Sequence, residues 1–201
     1  ERLEGVTVAQ VDAQRRPIPG TAEFVDCDTL LLSVGLIPEN ELSKAAGVEI
    51  DPLTSGPVVN ESMETSVRGL FACGNVVHVH DLVDHVTQES RLAGKCAAVF
   101  IMEGESHGER DFIRTKAGEG IRYVVPQIIR REMLREESRL FFRGDNIYKN
   151  VSISVSGRNG RILSLKKASV KPGEMESIKL THKLLEGMEA NDEITIQVEG
   201  F

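Results

Sequence analysis

The chain has 201 residues, 40% of them hydrophobic and 27% charged, which suits one large or two ordinary globular domains. A net charge of −7 and only nine aromatic residues, seven Phe and two Tyr, argue against a nucleic-acid partner, because acidic surfaces repel phosphate. No apolar run reaches the roughly 20 residues that span a bilayer and no signal peptide opens the sequence, so we expect a soluble cytoplasmic protein without a membrane span.

The first elements along the chain predict a sheet with a short helix. Alternating valines over residues 6–11 are typical of a strand, and the apolar run TLLLSVG at 29–35 is typical of a buried parallel strand. Residues 38–47 predict a short helix, because a proline starts the segment and Gly47 can end it. Residues 69–73, GLFAC, predict another short buried strand.

A long helix closes the first half. Apolar residues recur at helical spacing after Leu82, and we predict a helix over residues 83–103. The glycine-rich and charged stretch that follows predicts a linker over residues 105–120.

The second half changes to a two-residue apolar period. We expect short strands in the segments RYVVPQII, RLFF, NVSISVS, ILSLKK, SIKLTHKL and EITIQVE, joined by turns such as GRNGR and KPGE. Strands of this length and spacing favour an all-β sandwich of immunoglobulin-like type over residues 121–201. We expect this sandwich to fold by itself.

Charge supports the same division of the chain. Residues 1–104 carry 7 Lys and Arg against 16 Asp and Glu, whereas residues 105–201 carry the other 17 basic residues against 15 acidic ones. We therefore predict two domains, residues 1–104 and 121–201, separated by the linker at 105–120.

The cysteines give no sign of a disulfide framework. Cys27, Cys73 and Cys96 are far apart, odd in number and set in apolar stretches, so we interpret them as buried thiols.

Residues 71–75, FACGN, mark a site where backbone can approach a bulky ligand. Gly74 has no Cβ to obstruct that approach, and the amide of Asn75 can both donate and accept hydrogen bonds. The N-terminus of the helix beyond offers unpaired N–H groups and a partial positive charge.

Three quoted segments carry a resemblance to a known family. TSVRGLFACGN at 65–75, followed by DHVTQESRLAGKCAA at 84–98, resembles the C-terminal FAD signature of the two-dinucleotide-binding, pyridine nucleotide-disulfide oxidoreductase-like flavoproteins. CDTLLLSVGLIPENEL at 27–42 resembles the same family's return from the NAD(P) domain to the FAD domain. The resemblance covers roughly residues 1–104 and implies an α/β fragment of such a flavoprotein. The HVHDLVDHV insertion and the appended sandwich are similar to NAD/FAD-dependent dehydrogenases associated with glycerol-3-phosphate dehydrogenase.

This resemblance implies the cofactors FAD and NAD(P) and a set of cofactor-binding residues. In such enzymes the position of Asn75 is usually an aspartate that accepts a hydrogen bond from the ribityl chain of FAD, and the amide here gives up a charge-assisted bond. The backbone of the following helix faces the flavin. The candidate cofactor-binding residues are Gly74, Asn75, Val76, Thr87 and Gln88.

A cluster of histidines and aspartates lies between the two parts of that signature. His78, His80 and His85, with Asp81 and Asp84, are donors of the type that bind zinc or non-haem iron, and an imidazole near a flavin can also move a proton. The spacing does not require either role. We favour a polar loop that lines the cofactor edge, with no metal and with Asp81 or Asp84 as the helix N-cap.

Several expected motifs are missing from the chain. No strand is followed by GxGxxG and a helix, there is no P-loop, and the cysteine pair of a disulfide reductase is absent. We therefore expect the C-terminal part of a larger FAD-dependent NAD(P)H oxidoreductase, incomplete as an enzyme and without bound cofactor by itself. Self-association of the chain, or a partner flavoprotein subunit, would then cover its unpaired edges. The alternative is a non-catalytic docking module carried by the sandwich.

Overall fold

A computed structural model describes residues 2–33, 35–103, 112–135 and 138–200. The chain divides into two compact units, residues 1–35 and residues 36–201. Residues 105–111 of the predicted linker lie outside the described residues. Residues 112–117 of that same segment form a strand. The division into domains at residues 1–104 and 121–201 stays a prediction.

The smaller unit is built on a two-stranded sheet. Strand β1 (Gly5–Val8) pairs antiparallel with β2 (Glu23–Asp26), which confirms a strand in the valine-rich segment. The predicted buried strand at 29–35 is wrong, because residues 29–33 form no strand and Leu31 is 89% exposed. An apolar run forms a strand only where another strand pairs with it. In the described part of this unit β1 and β2 pair only with each other, so residues 29–33 have no partner strand.

Two helices lie in the larger unit before the sheets. Helix α1 (Glu41–Ala45) is followed by Gly47 at φ +77°, the left-handed conformation that ends a helix and favours glycine. Helix α2 (Val83–Glu103) confirms the predicted bounds. The strand predicted at 69–73 is wrong, because Phe71 makes a single bridge to Glu64. Neither described helix combines the length and apolarity that a membrane crossing requires.

Among the described residues after helix α2, eight strands form two sheets. The first sheet has the order β5-β3-β10-β7-β8, in which only β3 and β10 run parallel, and the second has the antiparallel order β4-β6-β9. Their bounds are β3 (Phe112–Ala117), β4 (Ile121–Val125), β5 (Ile128–Arg130), β6 (Arg139–Gly144), β7 (Tyr148–Gly157), β8 (Gly160–Val170), β9 (Met175–Lys179) and β10 (Glu193–Glu199).

Both sheets contribute to one hydrophobic core. Ile153 and Ile194 of the five-stranded sheet are fully buried, as are Leu140 and Phe142 of the three-stranded sheet, and all four belong to the same cluster. The alternating pattern therefore predicted a β-rich second half correctly. Its assignment to the immunoglobulin-like type stays a prediction.

A second core joins the segment before the sheets to strand β4. Val59, Val77 and Leu92 pack with Tyr123 and Val125. Strand β4 thus has residues in both cores, since Ile121 and Val124 belong to the first one. This second core includes Val77 from the loop and Leu92 from the helix that carry the candidate site.

Candidate functional site

The candidate site is built on a short turn that packs against helix α2. Residues Gly74–Val76 form a 3-10 turn, and Gly74 adopts φ +71°. The backbone N–H of Gly74 donates a hydrogen bond of 2.5 Å to the Glu89 carboxylate in the second turn of α2. A Cβ at position 74 would lie 3.2 Å from the side chain of Val86, which leaves little room for any residue but glycine.

Glu89 also binds two imidazoles with its two oxygens. Oε1 lies 3.0 Å from Nε2 of His78, and Oε2 lies 3.2 Å from Nε2 of His80. All three side chains are at most 1% exposed. One carboxylate therefore connects the turn, the helix and the loop of residues 77–82 between them, which we call the histidine loop, in a region shielded from water.

The protonation states of this cluster follow from burial and hydrogen bonding. Burial would raise the pKa of Glu89, but hydrogen bonds from His78 and His80 and their charges outweigh burial and lower it to about 2. Burial lowers the pKa of His78 below its usual value and outweighs the opposing interaction with Glu89. At neutral pH, Glu89 is therefore an anion.

Aromatic rings surround the histidines. The ring of Phe141, on β6, lies 5.7 Å from the rings of His78, His80 and His85, measured between centroids. Tyr123 lies 6.0 Å from His78 in an edge-on arrangement. The Nδ1 atoms of all three histidines are buried without a hydrogen-bond partner among the described residues.

The predicted cofactor-binding residues lie on both sides of the contact between turn and helix. Asn75, Thr87 and Gln88 are exposed, Val76 is half-buried and Gly74 is buried. The Oδ1 atom of Asn75 accepts the backbone N–H of His80 at 3.0 Å, and the hydroxyl of Thr87 donates to the carbonyl of Val83. The cofactor-binding role of these residues stays a prediction.

Arg143 on β6 ties the histidine loop to the sheets. Its guanidinium donates to the carbonyl of Val79 at 2.8 Å, to Asp81 at 2.5 Å, to the hydroxyl of Tyr123 at 2.9 Å and to the carbonyl of Pro172 at 3.1 Å. The second oxygen of Asp81 accepts the N–H of Met175 on β9. The loop is therefore held from the helix side by Glu89 and from the sheet side by Arg143.

Two smaller predictions are settled by this geometry. The helix begins at Val83, so Asp84 lies in its first turn and Asp81 pairs with Arg143, and neither aspartate immediately precedes the helix as an N-cap does. The three cysteines are free, as predicted, although only Cys96 is fully buried.

The sequence reasoning missed Glu89 and Arg143. Glu89 precedes the buried residues Leu92, Ala93 and Cys96 by three, four and seven positions, which places a charge on the apolar face of the helix. Arg143 directly follows the apolar residues Leu140, Phe141 and Phe142 and is itself buried. A charged residue at an otherwise apolar position was the available signal in both cases, because buried charges need specific partners.

A comparison with known families gives a match in the first half of the chain. Residues 3–93 match the family model described as pyridine nucleotide-disulphide oxidoreductase. The matched region contains Gly74, Asn75 and Gln88 and ends inside helix α2. It supports the resemblance that the sequence motifs indicate.

Two curated relatives match shorter stretches. A mitochondrial dihydrolipoyl dehydrogenase of Caenorhabditis elegans is 42% identical over 59 residues, which is 29% of this chain and 12% of that protein. An NADH oxidase of Methanocaldococcus jannaschii is 34% identical over 71 residues, which is 35% of this chain and 15% of that protein. The chain thus matches only a small part of the length of either relative.

Proposed function

We propose that this chain supplies one side of a flavin-binding site in an FAD-dependent NAD(P)H oxidoreductase of the pyridine nucleotide-disulphide oxidoreductase family. The match of residues 3–93 to that family and the names of the two relatives, a dehydrogenase and an oxidase, support a redox function in general. The observation that carries the proposal is the turn at Gly74, whose backbone is hydrogen-bonded to Glu89 of helix α2. The turn and the helix each expose a polar side chain, Asn75 and Gln88.

The residues present fit the ribityl and flavin end of FAD. Asn75 is exposed, and its oxygen, which accepts one N–H from His80, has a second lone pair for a ligand hydroxyl. The 21-residue helix α2 begins eight positions after Asn75. The N–H groups of His85 and Val86 donate to the carbonyl of Leu82, and those of Val83 and Asp84 have no acceptor within the helix. Gly74 keeps the turn close to the helix without a side chain in the way.

The bound flavin would supply the redox chemistry, which is hydride or electron exchange with a nicotinamide. The chain's own contribution is positional. Asn75 and the turn would bind the ribityl chain, Thr87 and Gln88 would lie at the flavin edge, and Glu89 would hold the turn on the helix.

Binding by this chain alone should be weak. A glycine-rich phosphate site is absent from the sequence, and each lost charge-assisted hydrogen bond is worth roughly 1.5–3 kcal/mol. Losing three or four of them turns a nanomolar site near −12 kcal/mol into one of about millimolar affinity. The association with glycerol-3-phosphate dehydrogenase and the immunoglobulin-like type of the sheets are parts of the proposal that rest on the sequence resemblance and the strand pattern.

A titration with FMN tests the proposal, because FMN carries the ribityl and flavin groups at a solubility that millimolar binding needs. We expect the amide NMR signals of Asn75, Val76, Thr87 and Gln88 in the labelled chain to shift with FMN and not with ADP. Asn75→Asp should keep these shifts, because it keeps the acceptor oxygen. Asn75→Leu should reduce the affinity at least fivefold.

Asn159→Leu, on an exposed hairpin turn, is the matched control and should leave the FMN shifts unchanged. Shifts that ADP reproduces, or that survive Asn75→Leu at full size, would mean that the segment does not recognise a flavin.

A further inference from the structure

The cluster of Glu89, His78 and His80 is a fully buried set of three side chains of metal-binding type. In the described structure the Glu89 carboxylate accepts the Gly74 N–H and faces the Nε2 atoms of the two imidazoles. The neighbouring cation, Arg143, pairs with Asp81 instead. Buried carboxylates in proteins are normally paired with a cation or bind a metal ion, so a bound cation would suit this cluster.

The three side chains are arranged as metal ligands are. One donor atom from each of them can be chosen so that all lie within 4.8 Å of one another, and the N···O distances to Glu89 are 3.0 Å and 3.2 Å. In a tetrahedral zinc site with bonds of about 2.0–2.1 Å, neighbouring ligand atoms are about 3.3 Å apart. We propose that His78, His80 and Glu89 bind one divalent transition-metal ion of the zinc or cobalt class.

Metal binding would replace the Nε2 hydrogen bonds that the two imidazoles make to Glu89. Each ring would move its proton from Nε2 to Nδ1, and the Nε2 lone pair would then bind the metal. Neither Nδ1 atom has a partner among the described residues, so this change breaks no hydrogen bond there. Metal-binding histidines usually have an acceptor for that proton, and its loss weakens binding 10–100-fold, so we expect micromolar rather than tighter affinity.

A fourth ligand can come from water. Glu89, Gln88 and Phe141 line a partly open cavity of about 20 Å³, which has room for about one water molecule on the Glu89 side of the cluster. Two imidazoles and one carboxylate with a water in the fourth position is a donor set that zinc accepts. Because the protein ligands are fully buried, the ion would enter during folding or a local opening.

The test uses the 201-residue chain without a histidine tag. The protein is unfolded with EDTA, freed of chelator and refolded with two equivalents of Co²⁺, and a native sample is incubated in parallel. After gel filtration we expect about one bound Co²⁺ per chain, with absorption at 500–650 nm of the intensity typical of tetrahedral cobalt. Added Zn²⁺ should remove that absorption.

Two ligand variants and two controls locate the ion. His80→Gln and Glu89→Gln should each lower cobalt affinity at least tenfold. His85→Gln changes the neighbouring ring outside the donor set, and His182→Gln removes an exposed histidine, so both should leave the affinity within twofold of the original.

The test does not depend on how well a ligand variant folds, because cobalt retention is also measured on the original chain. An original chain that retains no cobalt by either route would overturn the proposal and leave the cluster as a hydrogen-bonded anchor. Loss of the ion on His182→Gln, or its full retention by a folded Glu89→Gln, would place it elsewhere. A flavin titration that fails leaves these metal measurements unaffected, so the two proposals can be separated.

Discussion

At the scale of single residues, two charged side chains organise the loop between Gly74 and helix α2. Glu89 accepts three N–H groups and lies entirely inside the protein, whereas Arg143 donates to two carbonyls, one carboxylate and one hydroxyl. Such residues stabilise the observed arrangement of the loop over others, because a buried donor or acceptor that loses its partner raises the free energy by about 1–3 kcal/mol.

Arg143→Met should therefore destabilise the protein well beyond the loss of a surface ion pair. The methionine fills much of the same space but leaves the hydroxyl of Tyr123, the carbonyl of Val79 and the Oδ1 atom of Asp81 without this donor. We expect the free energy of unfolding to fall by about 2–4 kcal/mol. Urea unfolding followed by circular dichroism measures the change.

Arg158→Met is the matched control, because Arg158 pairs with Glu189 at the surface with both side chains more than 60% exposed. Exposed pairs contribute about 0–1 kcal/mol, so this variant should lose less than half as much stability. If both variants lose the same amount, the loop is not held by Arg143.

At the scale of elements, the turn that carries the candidate site lies against a neighbouring segment with no space between the two backbones. A Cβ at Gly56 would collide with the carbonyl of Val77, and the side chain of Asn40 donates to the carbonyls of Ser55 and Val76. The position of the turn therefore depends on this close approach as well as on Glu89.

Gly56→Ala should force the two segments apart and lower the free energy of unfolding by about 1–3 kcal/mol. Gly173→Ala is the control, because a Cβ there meets nothing within 4 Å, and it should stay within about 0.5 kcal/mol of the original. Thermal and urea unfolding of both variants provide the comparison. An unchanged Gly56→Ala protein would show that the backbones separate without cost.

The sequence predicted an element correctly where the signals for that element lie in a few neighbouring residues. Helix α2 was found with its bounds because helical periodicity and an ending glycine are local signals. The apolar runs at 29–35 and 69–73 were misjudged, because a strand forms only where another strand pairs with it. Nothing in either run reports the presence of that partner.

The candidate site was predictable to a similar extent. Gly74 and Asn75 were identified because a glycine and an amide after an apolar run are visible in a few neighbouring residues. The partnership of Glu89 with His78 and His80 spans 9 to 11 positions, and that of Arg143 with Asp81 spans 62. Contacts at such separations depend on the tertiary fold, which no local pattern encodes.

At the scale of the whole molecule, the segment before the sheets and the sheets themselves are joined at several places. The side-chain oxygen of Gln127 accepts the N–H of Val59, and Arg130 binds the fully buried carboxylate of Glu61. Arg143 reaches the histidine loop from the same side. Residues 36–201 accordingly form one compact unit, in which the site-bearing loop and the sheets stabilise each other.

Truncation tests this mutual dependence. The sequence alone suggests that residues 121–201 fold by themselves, but such a fragment lacks β3, which lies between β5 and β10 in the five-stranded sheet. We expect no cooperative thermal transition and poorly dispersed amide signals from it. A fragment of residues 36–201, which keeps both cores, should unfold cooperatively.

A fragment of residues 112–201 separates the two reasons for instability. It restores β3 and its pairing with β10, yet it exposes Tyr123 and Val125, whose packing partners lie between residues 59 and 96. It also leaves Arg143 without Val79 and Asp81. We expect it to fold with a melting temperature about 10 °C or more below that of residues 36–201, since each lost kcal/mol lowers the midpoint of a domain this size by several degrees. Equal melting temperatures for the two fragments would mean that the sheets do not depend on the site-bearing segment. The candidate site would then be an appendage to an independent domain.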